Sequence, residues 1–244
     1  DGASSEVLDY TGGLVDIEQA RICTIGDPHA RFMEDHLRML RAIRFAARLS
    51  FTIEEKTLKA IQTLAPLIHK VSIERIQQEL FKILQTPHSA RGIKLLAVSG
   101  LWEQLFPQMK DMNLAEKRLA VFESYRDQAK GVGVPLSLFM GELEPAKQAK
   151  EAFQPMQKEM ESSQAETFLR DLRCSLDIMK EVLVIFSQRD VLSHFPFLSI
   201  AEQKRFLRQP FFQSILLVGR VESECGHLPQ ESITAVDKAL LSWD

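Results

Sequence analysis

Residues 34–49 read Glu34-Asp-His-Leu-Arg-Met-Leu-Arg-Ala-Ile-Arg-Phe-Ala-Ala-Arg-Leu49. Leu, Met, Ala and Arg dominate and neither Gly nor Pro interrupts, so the composition predicts a helix over Glu34–Leu49. On a helical projection Met39, Leu40, Ile43 and Ala47 share one side and face a core. Arg41, Arg44 and Arg48 form a second stripe. Asp35 and Arg38, three apart, are neighbours on such a helix. A carboxylate only accepts hydrogen bonds and a guanidinium only donates them. Side by side they can read a base edge, Asp35 taking the amino group of cytosine or adenine and Arg38 donating to the ring acceptor beside it. Uracil and guanine turn a carbonyl toward the carboxylate, so two acceptors face each other. The same spacing also makes an ordinary surface ion pair at a helix N-terminus, where Asp suits the dipole. Spacing alone leaves both readings open.

The flanking sequence repeats helix after helix. Upstream, Asp9-Tyr-Thr-Gly-Gly13 is a turn signal. Leu14 to Ile25, with Val15, Ile17, Ile22 and Ile25, is the only β-like segment. Asp27-Pro28 then starts a short helix to Met33, Asp as N-cap and Pro at the first position. Downstream, Thr52-Ile-Glu-Glu55 reads as a capping box whose helix ends before Pro66. Ser72 caps Ile73–Gln85, Pro87 opens a helix that stops at Gly100, and Leu101–Phe106 is an apolar turn closed by Pro107. Asn113–Glu116 opens a helix to Gly131. Residues 131–163 are broken by Gly131, Gly133, Pro135, Gly141, Pro145 and Pro155, and polar Lys147–Ser163 reads as an exposed helix or a mobile insertion. Helical pattern returns at Ala165–Arg173 and Leu176–Arg189. Ser199-Ile-Ala-Glu202 is a second capping box, Pro210 starts a helix ended by Gly226, and a last helix from Pro229 aligns Ile233, Val236 and Leu240. The expectation is an all-α chain of about ten helices.

The chain has 244 residues, enough for one or two domains. No apolar run approaches the ~20 residues of a membrane span, Val182–Phe186 being typical. The opening Asp-Gly-Ala-Ser-Ser-Glu has no signal-peptide pattern, and a start without Met suggests a fragment or a processed chain. Three widely spaced cysteines, Cys23, Cys174 and Cys225, read as free thiols of a reducing, cytoplasmic compartment. Net charge is −3, unevenly spread: residues 28–94 carry +6 and residues 1–27 carry −5. A basic segment in an acidic chain is a candidate phosphate-binding face. Gly-rich phosphate loops, GxSxG and HExxH are absent. So is any Asp-x-Asp pair for two magnesium ions. Adjacent acids such as Glu34-Asp35 point apart on a helix and share a metal poorly.

The order of the pieces is more specific than any one of them. DYTGGLVDIEQARICTIGDP is followed by RFMEDHLRMLRAIRFAARLSFTIE, then SIERIQQELFKIL and ARGIKLLAVSGLWEQLFP. This series resembles the class II tRNA nucleotidyltransferase (CCA-adding enzyme) and bacterial poly(A) polymerase family. The resemblance is strong over Asp9–Pro107 and weaker over Ala165–Arg220. It implies a helical neck, body and tail, divided as 1–27 (hinge and end of a catalytic head), 28–107 (neck) and 108–244 (RNA-binding body and tail). Asp9, Gly12 and Gly13 match a hinge motif, DxxGG. Glu34, Asp35 and Arg38 match EDxxR, whose Asp and Arg pair with incoming CTP or ATP, and Arg41 is grouped with them as nucleotide-binding. Arg75 and Glu79 match a motif that braces this template helix. The implied partners are a tRNA or other RNA 3′ end, CTP and ATP, with no membrane.

Two departures stand out. His36 occupies the position where the family has Pro, so a different start to the template helix is expected. The family's magnesium-binding carboxylates lie in the head, before DxxGG, and have no counterpart here. The resemblance therefore implies no catalytic or metal-binding residue in this chain, which alone should bind nucleotide weakly and catalyse nothing. Alternatives are the poly(A) polymerase branch and a non-catalytic helical protein that binds RNA or a protein partner.

Overall fold

Side-chain caps set several helix starts. The Asp27 carboxylate accepts the Ala30 N–H at 2.8 Å with Pro28 at the first helical position, and Ser199 and Glu202 form a reciprocal capping box. A computed structural model describes residues 8–143 and 163–243. Within them the helices are α1 (Gly13–Glu18), α2 (Pro28–Glu34), α3 (Leu37–Leu49), α4 (Glu55–Leu64), α5 (Ile73–Leu84), α6 (Ser89–Val98) and α7 (Leu101–Leu105). They continue as α8 (Met112–Phe122), α9 (Gly133–Phe139), α10 (Gln164–Asp171), α11 (Leu176–Ser193), α12 (Ile200–Leu207), α13 (Phe212–Glu224) and α14 (Gln230–Trp243). Strands β1 (Arg21–Ile22) and β2 (Thr52–Ile53) pair in parallel, Arg21 beside Thr52. The all-α expectation holds. The polar stretch read from Lys147 lies, up to residue 162, outside the described residues.

Several expectations on local structure need correction: the described residues hold fourteen α-helices rather than about ten, and Ser72 precedes α5 without a side-chain cap bond. Leu14–Ile25 is not a strand throughout: Asp9 accepts the N–H groups of Thr11, Gly13 and Leu14 at 2.8–3.0 Å and starts α1, leaving only Arg21–Ile22 extended. Gly12 turns the chain there at φ 77°, a region glycine enters without strain. Thr52 is not a cap: it belongs to β2, its N–H donating to the Ala20 carbonyl at 2.8 Å, and α4 begins at Glu55. The cap of α8 is Asp111, which accepts from Leu114, rather than Asn113. The helix read over Glu34–Leu49 breaks, because Asp35 is extended (φ −151°, ψ 104°) and α3 starts only at Leu37.

The inner face of α3 falls where the spacing put it. Met39, Leu40, Ile43 and Ala47 are buried, packed against α5 and α6. The buried apolar residues form one contiguous cluster from Phe32 to Ala239. At its centre the rings of Trp102, Phe106 and Phe139 meet edge to face with centroids 5.1–5.6 Å apart, the preferred aromatic geometry. Farther along, Glu222 of α13 is buried between Arg118 of α8 (3.1 Å) and Arg189 of α11 (2.7 Å), with His227 Nδ1 at 3.2 Å. Gln77 of α5 donates to the carbonyls of Leu172 and Arg173, both at 2.8 Å, tying the helices around α3 to those after residue 163.

Two substitutions test this account. At Gly92 of α6 a Cβ would stand 2.5 Å from Ile83 Cγ2 and 3.4 Å from the Ala47 methyl. Gly92→Ala should lower the urea midpoint by the equivalent of about 1–3 kcal/mol through overpacking. His36 lies at φ −62°, the angle a proline ring holds, after the extended Asp35, and its buried Nδ1 has no partner among the described residues. His36→Pro should therefore raise stability by about 0.4–1 kcal/mol in the same measurement. Destabilisation by His36→Pro would mean that the start of α3 differs from the geometry described.

Candidate functional site

The break at Asp35 turns a carboxylate out of helical geometry and onto the N-terminal end of α3. Its Oδ1 accepts the Leu37 N–H at 3.1 Å and its Oδ2 accepts Arg75 Nη2 of α5 at 2.9 Å. The side chain keeps 26% of its exposure. Partial burial pushes its pKa up. The Arg75 hydrogen bond, the Leu37 N–H and the charges of Arg75 and Arg41 together outweigh that and hold it below the usual carboxylate value. Its contribution to stability is thus present above the unfolded carboxylate range and lost as pH falls through the lowered value. Around neutrality Asp35 is an anion and a pure acceptor, with lone pairs beyond those its two partners use.

Arg38 is not paired with Asp35. Its Nη1 donates to Glu34 Oε2 at 2.6 Å and to the Arg31 carbonyl at 3.0 Å. Glu34 also accepts from Arg31 Nη1 at 2.8 and 3.1 Å. The Arg38 hydrogen bond, followed by the charges and hydrogen bonds of both arginines, lowers the Glu34 pKa. The i, i+3 ion pair between Asp35 and Arg38, one of the two readings of the spacing, is therefore not formed. Each residue is held by a different partner, on adjoining sides of the α2–α3 break.

Glu79 of α5 sits beneath the arginine stripe with a side chain only 4% exposed. Arg44 Nε donates to it at 2.6 Å, Lys82 Nζ at 3.3 Å, and Arg41 Nε lies 3.9 Å away with its side chain half exposed. The Arg44 guanidinium also lies 4.1 Å over the Phe45 ring. Arg75 and Glu79, one turn apart on α5, thus contact Asp35 before α3 and Arg44 within it. Asp9, Gly12 and Gly13 are together at the start of α1, where backbone N–H bonds, Leu14 first, lower the Asp9 pKa to about 2.

Arg31 was missed by the sequence reading. Its signal was present within α2, since it precedes Glu34 by three. Among the described residues no three His, Cys, Asp or Glu side chains gather as a metal site. The cysteines are free thiols, and burial pushes the Cys174 thiol up to about 11. Among the described residues no helix is long and apolar enough to cross a membrane.

Known proteins resemble this chain in sequence and in fold. Residues 50–113 match the family described as the probable RNA- and SrmB-binding site of polymerase A. The CCA-adding enzyme of Levilactobacillus brevis is 42% identical over 113 residues, 46% of this chain and 28% of that protein. The solved structure of the Bacillus stearothermophilus CCA-adding enzyme in complex with CTP superposes with a TM-score of 0.67 at 25% identity. That match covers 96% of this chain and 54% of that one. The Thermotoga maritima CCA-adding enzyme complexed with tRNA shares the fold, with a TM-score of 0.66 at 18% identity over 96% of this chain and 54% of its own. The chain spans about half the length of these solved enzymes. In sequence over nearly half its length the chain is similar to CCA-adding enzymes, and in fold over almost all of it to solved structures of such enzymes.

Proposed function

We propose that this chain is the nucleotide-selecting and RNA-binding part of an RNA 3′-end nucleotidyltransferase that adds CCA, or part of it, to tRNA with release of pyrophosphate. The observation that carries this reading is the pair of surface groups at the α2–α3 break, an anionic acceptor at Asp35 and a donor at Arg38, each fixed by partners that leave further hydrogen-bonding capacity. Asp35 accepts the amino group of cytosine or adenine, and Arg38 donates to the ring acceptor beside it. Arg41 adds positive charge next to them, Glu34 orients Arg38, and Arg75 and Glu79 brace the two ends of the stretch. Residues 1–27 are the link to a catalytic head, with Asp9, Gly12 and Gly13 as its hinge; 28–107 are the template neck and 108–244 the RNA-holding body. Magnesium belongs to that head. The polymerase A description fits a poly(A) product equally, and the CCA-adding relatives favour tRNA.

In the full-length enzyme this reading requires, Asp35→Ala removes both the acceptor and the repulsion of a carbonyl-bearing base. Discrimination between CTP and UTP should fall by about 1–3 kcal/mol, by analogy with bidentate base reading, as measured by steady-state kcat/KM for each nucleotide. An unaltered CTP:UTP ratio in a folded Asp35→Ala enzyme rules the template assignment out. RNA binding by the +6 segment of residues 28–94 should weaken steeply between about 50 and 200 mM salt, through release of counterions from the RNA. Filter binding of tRNA across that range checks it, and salt-independent affinity would argue against a phosphate-facing neck.

A further inference from the structure

Arg38 presents two Nη1 hydrogens, and both are spoken for. One goes to the Arg31 carbonyl at 3.0 Å and the other to Glu34 Oε2 at 2.6 Å. A guanidinium is planar with five donors in a fixed fork. Two acceptors gripping one nitrogen therefore fix the plane and leave the Nε and Nη2 edge as the donor face. Arg31 supplies the first grip directly, from the last turn of α2, where the negative end of the helix dipole favours a cation. It governs the second as well, because its own guanidinium holds both Glu34 oxygens at 2.8 and 3.1 Å and so sets where Oε2 stands. Without the Arg31 side chain, Glu34 is an exposed carboxylate on a flexible side chain with one partner, and the Arg38 fork keeps the Arg31 carbonyl as its only fixed acceptor.

We propose that Arg31 is a positioning residue for nucleotide selection, acting through Glu34 to aim the Nε/Nη2 edge of Arg38 at the incoming base. This rests on the template reading above. It extends that reading to a residue outside the Glu-Asp-x-x-Arg series, one that touches no nucleotide itself. Arg31→Lys keeps a cation near Glu34 but replaces the planar, fixed Nη1 donor with a mobile ammonium, so it should lie between the wild type and Arg31→Ala.

The experiment uses the chain itself, labelled with 15N, with CTP and UTP titrated separately while the Nε–H signals of the arginine side chains are followed. In the wild type CTP should shift the Arg38 signal more than UTP does. Arg31→Ala should raise the apparent Kd for CTP by about three- to tenfold, the order expected for loss of one orienting charge-assisted contact. It should also narrow the CTP–UTP difference while the thermal midpoint stays near that of the wild type, with Arg31→Lys intermediate. A CTP affinity unchanged in Arg31→Ala, while Arg38→Ala abolishes the response, overturns the role of Arg31 and leaves the template reading standing. No CTP-dependent shift of Arg38 in the wild type, or an Arg38→Ala chain that binds CTP as well as the wild type, overturns both. A lowered thermal midpoint with CTP affinity and preference intact makes Arg31 structural only and also overturns the proposal.

Discussion

No helix runs through a residue at φ −151°, ψ 104°, and that single backbone state at Asp35 organises the site around it. It ends α2, so the Arg31 carbonyl stands in a terminal turn where a cation is favoured. It starts α3 two residues later, so the first N–H groups of a new helix are available to a carboxylate. The Asp35 side chain then meets Leu37 N–H on one oxygen and Arg75 on the other, while Arg38 is drawn back to α2. In a continuous helix the same residues would sit side by side and neutralise each other. The break separates donor from acceptor and gives each its own support.

The later helices are held by a different balance. Glu222 is one buried carboxylate between a buried arginine, Arg118, and a partly buried one, Arg189, and desolvation works to lower the Arg189 pKa against the opposing pull of Glu222. Removing charges from water is costly, and such clusters fix geometry more reliably than they add net stability. Here the cluster fixes the relative placement of α8, α11 and α13, while edge-to-face contacts among Trp102, Phe106 and Phe139 fix α7 against α9. The link back to α5 is polar and local, through Gln77 and two carbonyls beyond α10.

Much of this was legible in the sequence, for reasons that differ by element. The buried side of α3 followed from periodicity, which reports burial directly. Asp27-Pro28 and Ser199–Glu202 followed from capping chemistry, which is local. The break at Asp35 was not legible, because Glu, Asp and His carry no helix-ending signal and the proline that would have marked it is replaced by His36. Its φ of −62° is one that a proline ring also holds. Thr52 misled because Thr-Ile-Glu-Glu satisfies a capping pattern, whereas its partner, the Ala20 carbonyl, lies far away in the chain. The pairs Asp35–Arg75 and Arg44–Glu79 span 40 and 35 residues, and no periodicity within one helix reports them. The motif resemblance grouped Asp35, Arg75 and Glu79 but not Arg44, whose contact with Glu79 only the fold supplies.

The two halves of the site differ in how far away their supports lie. Arg38 is held entirely by its own neighbourhood, from residues 31 and 34, whereas Asp35 leans on Arg75, which reaches it only while α5 stays docked. Proteins open in parts before they unfold as a whole. A chain warmed until α5 loosens would keep its donor and lose the fixed acceptor; on the proposed template reading it would hold nucleotides with less ability to refuse the wrong one. If the template reading holds, mistakes at the RNA end would rise with temperature before synthesis failed, and the accuracy of the enzyme would have a lower heat limit than its activity.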